Sequence, residues 1–571
     1  MKRSLKAWLL AGSVFLFSVA TFGQGKSVRT TLPKNWYTLD KEKDGIYGIS
    51  LDKTYEFIKA KNLKSKTVIV GVIDSGIDTL QEDLKNVLWV NPKEIPGNGI
   101  DDDNNGYIDD VHGWNFLGGK DGSSVNDDAS EEARVYYQYK EKFEDKDFKP
   151  EGLTGDDLAI YKMWLKARKK IMGDGSEGSA IDLVMLKRMV NACIKSDSIL
   201  QKAMGKAEYT GHDLENFQPT STDAKTARSV LLYLFREEHI MDMTNTMFLE
   251  EFKEEADSEE RKMEQKETPP KAYRKDIVQD NEEDLNDKNY GNNNLMGGQP
   301  MHGTHVSGII AAERNNGKGI DGIADNVKIM MLRVVPNGDE HDKDIALAIR
   351  YAVDNGAKVI NMSFGKNLSP NKKWIDDAVI YADEKGVLLV HAAGNDGADI
   401  DTTDNFPNPY LIASNKRATN WITVGASSDP LAEKRLKGYA ADFSNYGKKE
   451  VDVFAPGVSM YSTLPGGNKY GNLDGTSFSS PTVAGVAALI MEYFPSLTPE
   501  QVKYCIETSA VPLAVKTIKP GTEDEMINFT ELSKSGGIVN AYAALKLAST
   551  INPESKKKDS LPKSSLSNPK N

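Results

Sequence analysis

The hydrophobic and polar positions of the chain follow two patterns, and the first predicts a sheet. Short runs rich in Val, Ile and Leu alternate with longer stretches in which apolar residues recur at helical spacing. The runs TVIVGVID, VKIMMLRVV, AKVINMSFG, VLLVHAAGN and WITVGAS occupy residues 67–74, 327–335, 357–365, 387–395 and 421–427. Near-continuous apolar runs separated by helices are typical of parallel strands that are buried on both faces. The sequence therefore predicts an α/β fold with a mostly parallel sheet.

The second pattern fills residues 118–288 and predicts helices alone. The segments IDLVMLKRMVNACI and ARSVLLYLFREEHIMDMTNTMFLEEFKEE repeat apolar residues at helical spacing, and no run in this region resembles the predicted strands. We therefore predict a large helical insertion within a sheet domain, which would itself comprise residues 47–117 and 289–550.

The two ends of the chain have a different composition from the rest. Residues 1–23 carry three cations ahead of a short apolar run, which is typical of a secretory signal peptide cleaved before Gln24. Residues 24–46 would form a short N-terminal segment, and the Ser-, Lys- and Pro-rich residues 551–571 predict a disordered tail. We therefore expect an extracytoplasmic protein (periplasmic, cell-surface or secreted) without a transmembrane segment after signal cleavage.

Charge and cysteine content narrow the choice of partners only slightly. The formal net charge of −13 argues against a nucleic-acid partner, because nucleic-acid-binding domains are usually basic. Cys193 and Cys505 are the only cysteines of the chain. Helical spacing around Cys193 favours a packed thiol, and the sequence leaves open whether the two cysteines pair.

Candidate chemistry begins with the segment QPMHGTHVSG, in which His302 and His305 are three positions apart. A zinc-protease helix needs two histidines four positions apart and an intervening glutamate. Here Gly and Thr lie between the histidines, so the metal interpretation is weak. The alternative is one catalytic base beside one packed histidine.

A serine hydrolase needs a nucleophile, a base and an acid that orients the base. The chain provides candidates in the order Asp74, His302 and Ser477, within GVIDSGID, HGTHVSG and GTSFSSPTVAG. No G-x-S-x-G elbow surrounds Ser477, which argues against an α/β-hydrolase. Asp74 and Asn395 each end a predicted strand, and functional sites of parallel sheets gather at the carboxyl ends of the strands.

These segments resemble the active-site blocks of the subtilisin-like serine proteases, the subtilase family. The similarity continues in YGISLDK, VINMSFG, HAAGNDG and VDVFAPGVSMYSTLPGGNKYGNLDGTSFSSPTVAG, and it covers about residues 47–116 and 290–547. It implies the three-layer subtilisin-like fold and an endopeptidase that cleaves proteins or peptides through an acyl-enzyme. By this resemblance Ser477 is the nucleophile, His302 the general base, and Asp74 the group that orients the base. Asn395 resembles the oxyanion donor of the family, and His305 becomes a packing residue.

The resemblance also implies where a substrate binds. Two short segments are similar to substrate-binding residues of the family: Ser363, Phe364 and Gly365 in the first, and Ala392, Ala393 and Gly394 in the second. The first would pair with the substrate backbone as a β-strand, and the small residues of the second would leave room for a substrate side chain. Lys366 follows where the family more usually has a small residue, so the side-chain preference stays open.

An acidic loop suggests calcium independently of the catalytic residues. The segment GIDDDNNGYIDD places Asp101, Asp103 and Asn105 at alternate positions, like the opening of an EF-hand-type loop. His112 occupies the twelfth position, where such loops carry glutamate. A solvated acidic turn is the alternative.

A second calcium candidate follows from the resemblance alone. Asp83 and Asn316 resemble residues of the structural calcium site of the family. An ion that is bound only by the folded chain stabilises that chain. We therefore expect Ca²⁺ to have a structural rather than a catalytic role.

Two other functions remain compatible with parts of the sequence. A catalytically idle subtilase fold could serve as a binding scaffold, although no member of the predicted triad is missing. A calcium-dependent adhesion module would explain only the acidic loop. The role of the insertion is also open, since it could be peripheral or could cap the cleft and restrict access for substrates.

Overall fold

The computed structural model describes residues 32–173, 178–238, 240–298, 300–429 and 438–552. The predicted signal peptide lies outside these residues, as do residues 24–31 of the predicted N-terminal segment and residues 553–571 of the predicted tail. In the part of the chain that the structure describes, no helix is both long and apolar enough to span a bilayer. Cys193 and Cys505 are both buried free thiols.

The centre of the protein is a sheet of nine strands in the order β12–β15–β9–β8–β5–β4–β1–β3–β2. Neighbouring strands are parallel except for the pair β12–β15. The strands are β1 Val68–Asp74, β2 Gly113–Asn115, β3 Val327–Arg333, β4 Val359–Met362, β5 Leu388–Ala392, β6 Tyr410–Leu411, β7 Lys416–Arg417, β8 Trp421–Ser427, β9 Val453–Pro456, β10 Met460–Leu464, β11 Lys469–Leu473, β12 Val511–Pro512, β13 Lys516–Ile518, β14 Met526–Asn528 and β15 Gly537–Ile538. The predicted α/β class with a mostly parallel sheet is confirmed.

Helices cover both faces of this sheet and also form the region between β2 and β3. They are α1 Lys41–Asp44, α2 Leu51–Ala60, α3 Glu131–Phe143, α4 Gly155–Met172, α5 Gly178–Met204, α6 Gly211–Asn216, α7 Thr222–Glu237, α8 Asn245–Glu267, α9 Tyr273–Ile277, α10 Met301–Ala311, α11 Asp342–Asp354, α12 Lys372–Glu384, α13 Thr476–Tyr493, α14 Pro499–Ser509 and α15 Ala541–Ala548. Helices α3–α9 therefore lie within the region that the sequence predicts as an insertion.

The two faces of the sheet explain the continuous apolar runs of the sequence. Side chains of β1 alternate between the faces: Val70 and Val72 join the core that contains α10 and α13, whereas Ile73 joins the core that contains α11 and α12. A strand covered by helices on both faces needs apolar residues at every position. The helix α13 is itself buried along almost its whole length, which positions its N-terminus firmly against the sheet.

The helices between β2 and β3 have two apolar cores of their own. Helices α3 and α4 share an aromatic cluster that includes Trp164, while α5, α7 and α8 share a second cluster around Phe235 and Phe252. Each cluster also takes in one residue from the sheet domain, Leu368 in the first and Leu473 in the second. The insertion therefore packs against the sheet domain at two separate places.

Candidate active site

Asp74 and His302 meet at the carboxyl end of the sheet. Asp74 is the last residue of β1, and its Oδ1 lies 2.7 Å from Nδ1 of His302, the second residue of α10. The backbone N–H of Ser75 donates to the same oxygen at 2.7 Å. Gly303 permits this close approach, since a Cβ there would lie 2.1 Å from the carbonyl oxygen of Gly76. The structure brings the predicted acid and base together as expected.

The surroundings of His302 raise its pKa above the ordinary value. Burial lowers the pKa of the imidazole, but the charge of Asp74 and its hydrogen bond more than offset this, and the charge of Glu251 contributes further. The bond from Nδ1 to Asp74 leaves Nε2 as the nitrogen that can exchange a proton with another group. Glu251 belongs to helix α8 of the insertion, and no motif or spacing in the sequence links it to the site.

His305 is the packing histidine of the pair. Its side chain is fully buried, and its Nε2 donates to the carbonyl of Gly471 at 3.1 Å. Burial lowers the pKa of His305 to about 3, so the ring stays neutral at physiological pH. The ring of Phe478 lies 4.5 Å from that of His305 and 5.4 Å from that of His302, between centroids. The two histidines therefore have different surroundings, as the sequence predicts.

Ser477 is the second residue of α13 and faces the end of β4. Its Oγ donates to the carbonyl of Ser363 at 3.1 Å, and Ser363 Oγ donates back to the carbonyl of Ser477 at 2.8 Å. Asn361 in turn donates from Nδ2 to Ser363 Oγ at 2.9 Å. Among the hydrogen bonds of the described residues, none joins the Ser477 hydroxyl to His302. Proton transfer between them would require the hydroxyl to rotate about χ1, and such bonds are often made only in the substrate complex.

Asn395 lies directly beside the N-terminus of α13. Its Oδ1 accepts hydrogen bonds from the backbone N–H and the hydroxyl of Thr476, both at 2.9 Å. These two bonds orient the amide and leave Nδ2 available as a donor. A Cβ on Gly475 would lie 3.6 Å from this Nδ2, which locates the amide beside the turn that carries Ser477. Backbone N–H groups in the first turn of a helix lack helical partners, so this place can stabilise negative charge.

The two predicted substrate-binding segments follow neighbouring strands. Ser363–Gly365 follow β4, and Ala392 ends β5, which pairs with β4 in parallel. Two residues that the sequence did not indicate hold the second segment, because Asn405 and Asn445 both donate to the carbonyl of Ala393, at 3.0 and 2.9 Å. The structure thus places both segments at the edge of the sheet that carries Asp74.

Lys366, whose role was open, is turned away from this edge. Its ammonium group has no exposed surface and forms ion pairs with Glu131 at 2.7 Å and with Asp342 at 2.8 Å. Its backbone pairs in both directions with Phe406 at 2.8 Å. The charge of Lys366 is therefore used to join the insertion to the sheet domain and is not presented to a substrate.

Asp83 and Asn316 are also brought together, but as a hydrogen-bonded pair. Asn316 donates from Nδ2 to Asp83 Oδ1 at 2.6 Å, and the hydroxyl of Tyr470 donates to Asp83 Oδ2 at 2.8 Å. Both carboxylate oxygens are thus satisfied by donors of the chain. Calcium binding by Asp83 and Asn316 stays a prediction.

In the acidic loop, Asp101 and Asp103 lie beside a residue that the motif did not include. Glu94 can place a carboxylate oxygen within 4.8 Å of oxygens from both aspartates. Asn105 instead accepts from the N–H of Tyr107 at 2.8 Å and donates to Asp110 at 2.9 Å. Glu94 precedes the repeating part of the loop, so no spacing in the sequence could have indicated it.

A carboxylate, an imidazole and a hydroxyl thus lie at the carboxyl ends of a parallel sheet in the chain order Asp, His, Ser, which is the order that the sequence predicts for a serine hydrolase. The model of the Subtilase family matches residues 65–537. The chain therefore belongs to the subtilase family, and the resemblance seen in the sequence is confirmed.

Similar proteins support the same conclusion. The chain is 46% identical over 190 residues to the Thermophilic serine proteinase of Bacillus sp. (strain AK1), covering 33% of this chain and 42% of the relative. It is 37% identical over 213 residues to the Thermostable alkaline protease of Halalkalibacterium halodurans, covering 37% of this chain and 53% of the relative. It is 37% identical over 246 residues to Thermitase of Thermoactinomyces vulgaris, covering 43% of this chain and 75% of the relative. The chain thus spans about half the length of the first two relatives.

Proposed function

We propose that this protein is an exported serine endopeptidase that hydrolyses peptide bonds through Asp74, His302 and Ser477. The observation that carries the proposal is the 2.7 Å hydrogen bond between Asp74 and His302 at the carboxyl end of the sheet, beside the helix N-terminus that bears Ser477. Membership of the subtilase family supports the same reaction. The expected product of the first step is an acyl-enzyme on Ser477.

The reaction begins when the Ser477 hydroxyl rotates from the Ser363 carbonyl towards Nε2 of His302. Oγ then attacks the substrate carbonyl carbon while Nε2 accepts its proton, and Asp74 stabilises the imidazolium through Nδ1. His302 returns the proton to the leaving amine, and water then hydrolyses the acyl-enzyme by the same route. Asp74 keeps the imidazole ring oriented throughout the reaction.

Asn395 and the N-terminus of α13 would stabilise the oxyanion of the tetrahedral intermediate. Thr476 holds Oδ1 of Asn395, so that Nδ2 can donate to the developing negative charge. The backbone N–H of Ser477 would supply a second donor from the first turn of the helix. Donors fixed before the reaction stabilise the transition state without reorganising, which is why they lower the barrier.

The substrates would be proteins or peptides bound in an extended conformation. Ser363–Gly365 would pair with the substrate backbone, and Ala392–Gly394 would border the pocket for a side chain. We place the protein outside the cytoplasm, in the periplasm, at the cell surface or in the medium, on the basis of its predicted signal peptide. Its net charge of −13 argues against a nucleic-acid partner, because nucleic acids are also negatively charged.

Labelling with a small fluorophosphonate probe tests the proposal, because the probe reacts with an activated serine. We expect the protein to be labelled and Ser477→Ala to be unlabelled. Equal labelling of both would show that Ser477 is not the nucleophile. If neither protein were labelled and no peptide were cleaved, a catalytically idle binding scaffold would replace the proposal.

A further inference from the structure

The acidic loop after β1 contains a carboxylate oxygen that the chain does not satisfy. Glu94 is 7% exposed, and its Oε1 accepts from the backbone N–H groups of Asp102 and Asp103 at 3.0 and 3.4 Å. Its Oε2 is buried without a hydrogen-bond partner. Glu94, Asp101 and Asp103 can each place one oxygen within 4.8 Å of the other two. The side chain that carries this unpartnered oxygen is therefore grouped with two further carboxylates.

Backbone N–H groups of Asn105 and Gly106 donate to the two oxygens of Asp101 at 3.0 and 2.8 Å, whereas Oε2 of Glu94 has no such donor. Burial raises the pKa of Glu94, and the nearby carboxylates Asp110 and Asp102 raise it further. Among the ion pairs of the described residues, the cluster has one cation, since Lys93 lies 3.6 Å from Asp103, and the Lys93 side chain is 67% exposed. A buried charge without a partner raises the free energy of the folded protein, and a bound cation would offset this increase.

The ligand atoms favour a hard divalent cation. All three side chains offer oxygen, whereas zinc sites are usually built from Cys and His. Calcium–oxygen distances of about 2.3–2.6 Å place two ligands on opposite sides of the ion roughly 5 Å apart, which is comparable with the spacing of these carboxylates. Backbone carbonyls and water would complete the shell. The loop leads directly into β2, the edge strand of the sheet, so a bound ion would fasten this edge.

We propose that Glu94, Asp101 and Asp103 bind a Ca²⁺ ion that stabilises the loop and the β2 edge. The inference does not rest on the proposed catalytic activity. It replaces Asn105 of the sequence motif by Glu94, since the Asn105 side chain is engaged with Tyr107 and Asp110.

The test measures Ca²⁺ binding by calorimetry and Tm with and without Ca²⁺, in a Ser477→Ala background that prevents autolysis. Glu94→Gln keeps the size of the side chain and removes its charge, and Glu523→Gln on an exposed loop is the matched control. We expect Glu94→Gln to weaken Ca²⁺ binding at least about tenfold and to abolish the rise in Tm, because ligand charge sets the affinity of such sites. Glu523→Gln should keep both.

A second comparison separates a lost ligand from simple misfolding. With chelator present, Glu94→Gln should melt no lower than its parent, because the new amide can donate to Asp101 or Asp103 and one repulsive charge is gone. We therefore expect Glu94→Gln to have a lower Tm than its parent when Ca²⁺ is present, but not when chelator is present. No Ca²⁺ binding by the parent, or equal binding by Glu94→Gln, would overturn the proposal.

A different set of contacts joins the part of the insertion around helix α8 to β11 of the sheet domain. On one side, Glu208 forms an ion pair with Lys469 on β11, and Asp242 accepts from Asn472 at 3.4 Å. Leu473, at the end of β11, packs into the core that α8 shares with α5 and α7. The N-terminal half of α8 is therefore held against the strand that leads to Ser477.

The other end of α8 contacts the residue before α3, and α3 is joined to the sheet domain by an ion pair. Gln265 accepts from the hydroxyl of Ser130 at 3.0 Å, and Ser130 precedes Glu131, the partner of Lys366. Lys366 itself directly follows the predicted substrate-binding segment. With 23 residues, α8 is about 35 Å long, enough to cross the mouth of a cleft.

Between these two ends lies Glu251, which interacts electrostatically with His302. The charge of Glu251 raises the pKa of His302, and His302 in turn lowers that of Glu251 against the larger effect of burial. Mutual influence of this kind needs the two side chains to be near each other. The middle of α8 is therefore within electrostatic range of the predicted catalytic base.

We infer that α8 makes this protease selective for short or unfolded peptides, an inference that rests on the proposed function. A helix fixed on both sides of the cleft leaves room for an extended chain but not for a folded domain. Removing the contacts of Glu208 and Asp242 with β11 should therefore allow bulkier substrates to enter.

The test compares cleavage of a short fluorogenic peptide with cleavage of a folded protein. Glu208→Ala and Asp242→Ala, singly and together, remove the polar contacts to β11, and Lys206→Ala removes an ion pair with Asp213 within the insertion as the control. We expect the first set to raise the folded-protein rate several-fold relative to the peptide rate, and the control to leave the ratio unchanged. An unchanged ratio in all variants would overturn the inference. Failure to cleave the short peptide at all would instead count against the proposed function.

Discussion

Ser363 occupies the position of a helical hydrogen-bond donor that Pro481 lacks. Pro481 lies four residues after Ser477 in α13 and has no N–H, so the carbonyl of Ser477 has no partner within the helix. Ser363 Oγ donates to this carbonyl at 2.8 Å, and the carbonyl of Ser363 accepts from Ser477 Oγ at 3.1 Å. Because Pro481 leaves the carbonyl of Ser477 without a helical donor, Ser363 can bind both the carbonyl and the hydroxyl of the predicted nucleophile.

Replacing Ser363 by Ala should therefore reduce activity by misplacing Ser477. Losing one buried hydrogen bond costs about 1–2 kcal/mol, and we expect a fall in kcat of roughly tenfold on a short peptide. Ser509→Ala is the matched control, because its buried hydroxyl also donates to a helical carbonyl, that of Cys505 at 2.6 Å. We expect the two variants to show a similar loss of Tm. Only Ser363→Ala should also lose kcat. Equal activities would show that Ser363 has a structural role alone.

The predicted triad should behave as a unit. We expect His302→Ala and Ser477→Ala each to lower kcat by about 10⁶, a magnitude known from subtilisin, and the double variant to be little worse. Steady-state kinetics on a short peptide measure this, with circular dichroism to confirm the fold. Effects that multiply in the double variant would mean that the two side chains act separately.

Activity should fall as the pH is lowered, because His302 must be neutral to accept the proton of Ser477. The raised pKa of His302 moves this acidic limb to higher pH than an ordinary histidine would give. The pH dependence of kcat/KM between about pH 5 and 9 brackets the histidine range. A flat profile would contradict the assignment of His302 as the base.

Glu251→Gln should shift that acidic limb to lower pH. The variant removes a negative charge that favours the protonated imidazole, while Asp74 continues to raise the pKa of His302. Glu259→Gln in the same helix is the control. Glu259 pairs with Lys262 and is not among the groups that change the pKa of His302. Identical pH profiles for the parent and Glu251→Gln would show that α8 is too far from His302 to affect it.

Asn395→Asp is expected to separate two functions of the amide. The variant keeps the oxygen that accepts from Thr476 but lacks the Nδ2 donor. We expect kcat to fall about 10²–10³-fold with little change in KM, the range measured for such a donor in subtilisin. Asn395→Ala should be at least as impaired. Near-normal kcat for Asn395→Asp would limit the role of Asn395 to positioning Thr476.

Several features of the protein follow from the sequence without any tertiary information. The buried strands are visible as apolar runs, because a strand covered on both faces buries side chains on both sides and is therefore rich in apolar residues. Asp74, His302 and Ser477 are visible because each lies in a short segment whose residue types serve local purposes.

Only the tertiary structure decided how charges far apart in the chain are satisfied. Lys366 could have been a specificity residue, but its partner Glu131 lies 235 positions away and removes it from the substrate edge. Glu251 comes near His302 for the same reason, and Glu94 joins the acidic loop because folding buries it against Asp101 and Asp103. The free energy of a charged side chain depends on burial and on the charges around it, and folding determines both. Sequence patterns record local periodicity and spacing, so they indicate the elements and the catalytic order but not these partnerships.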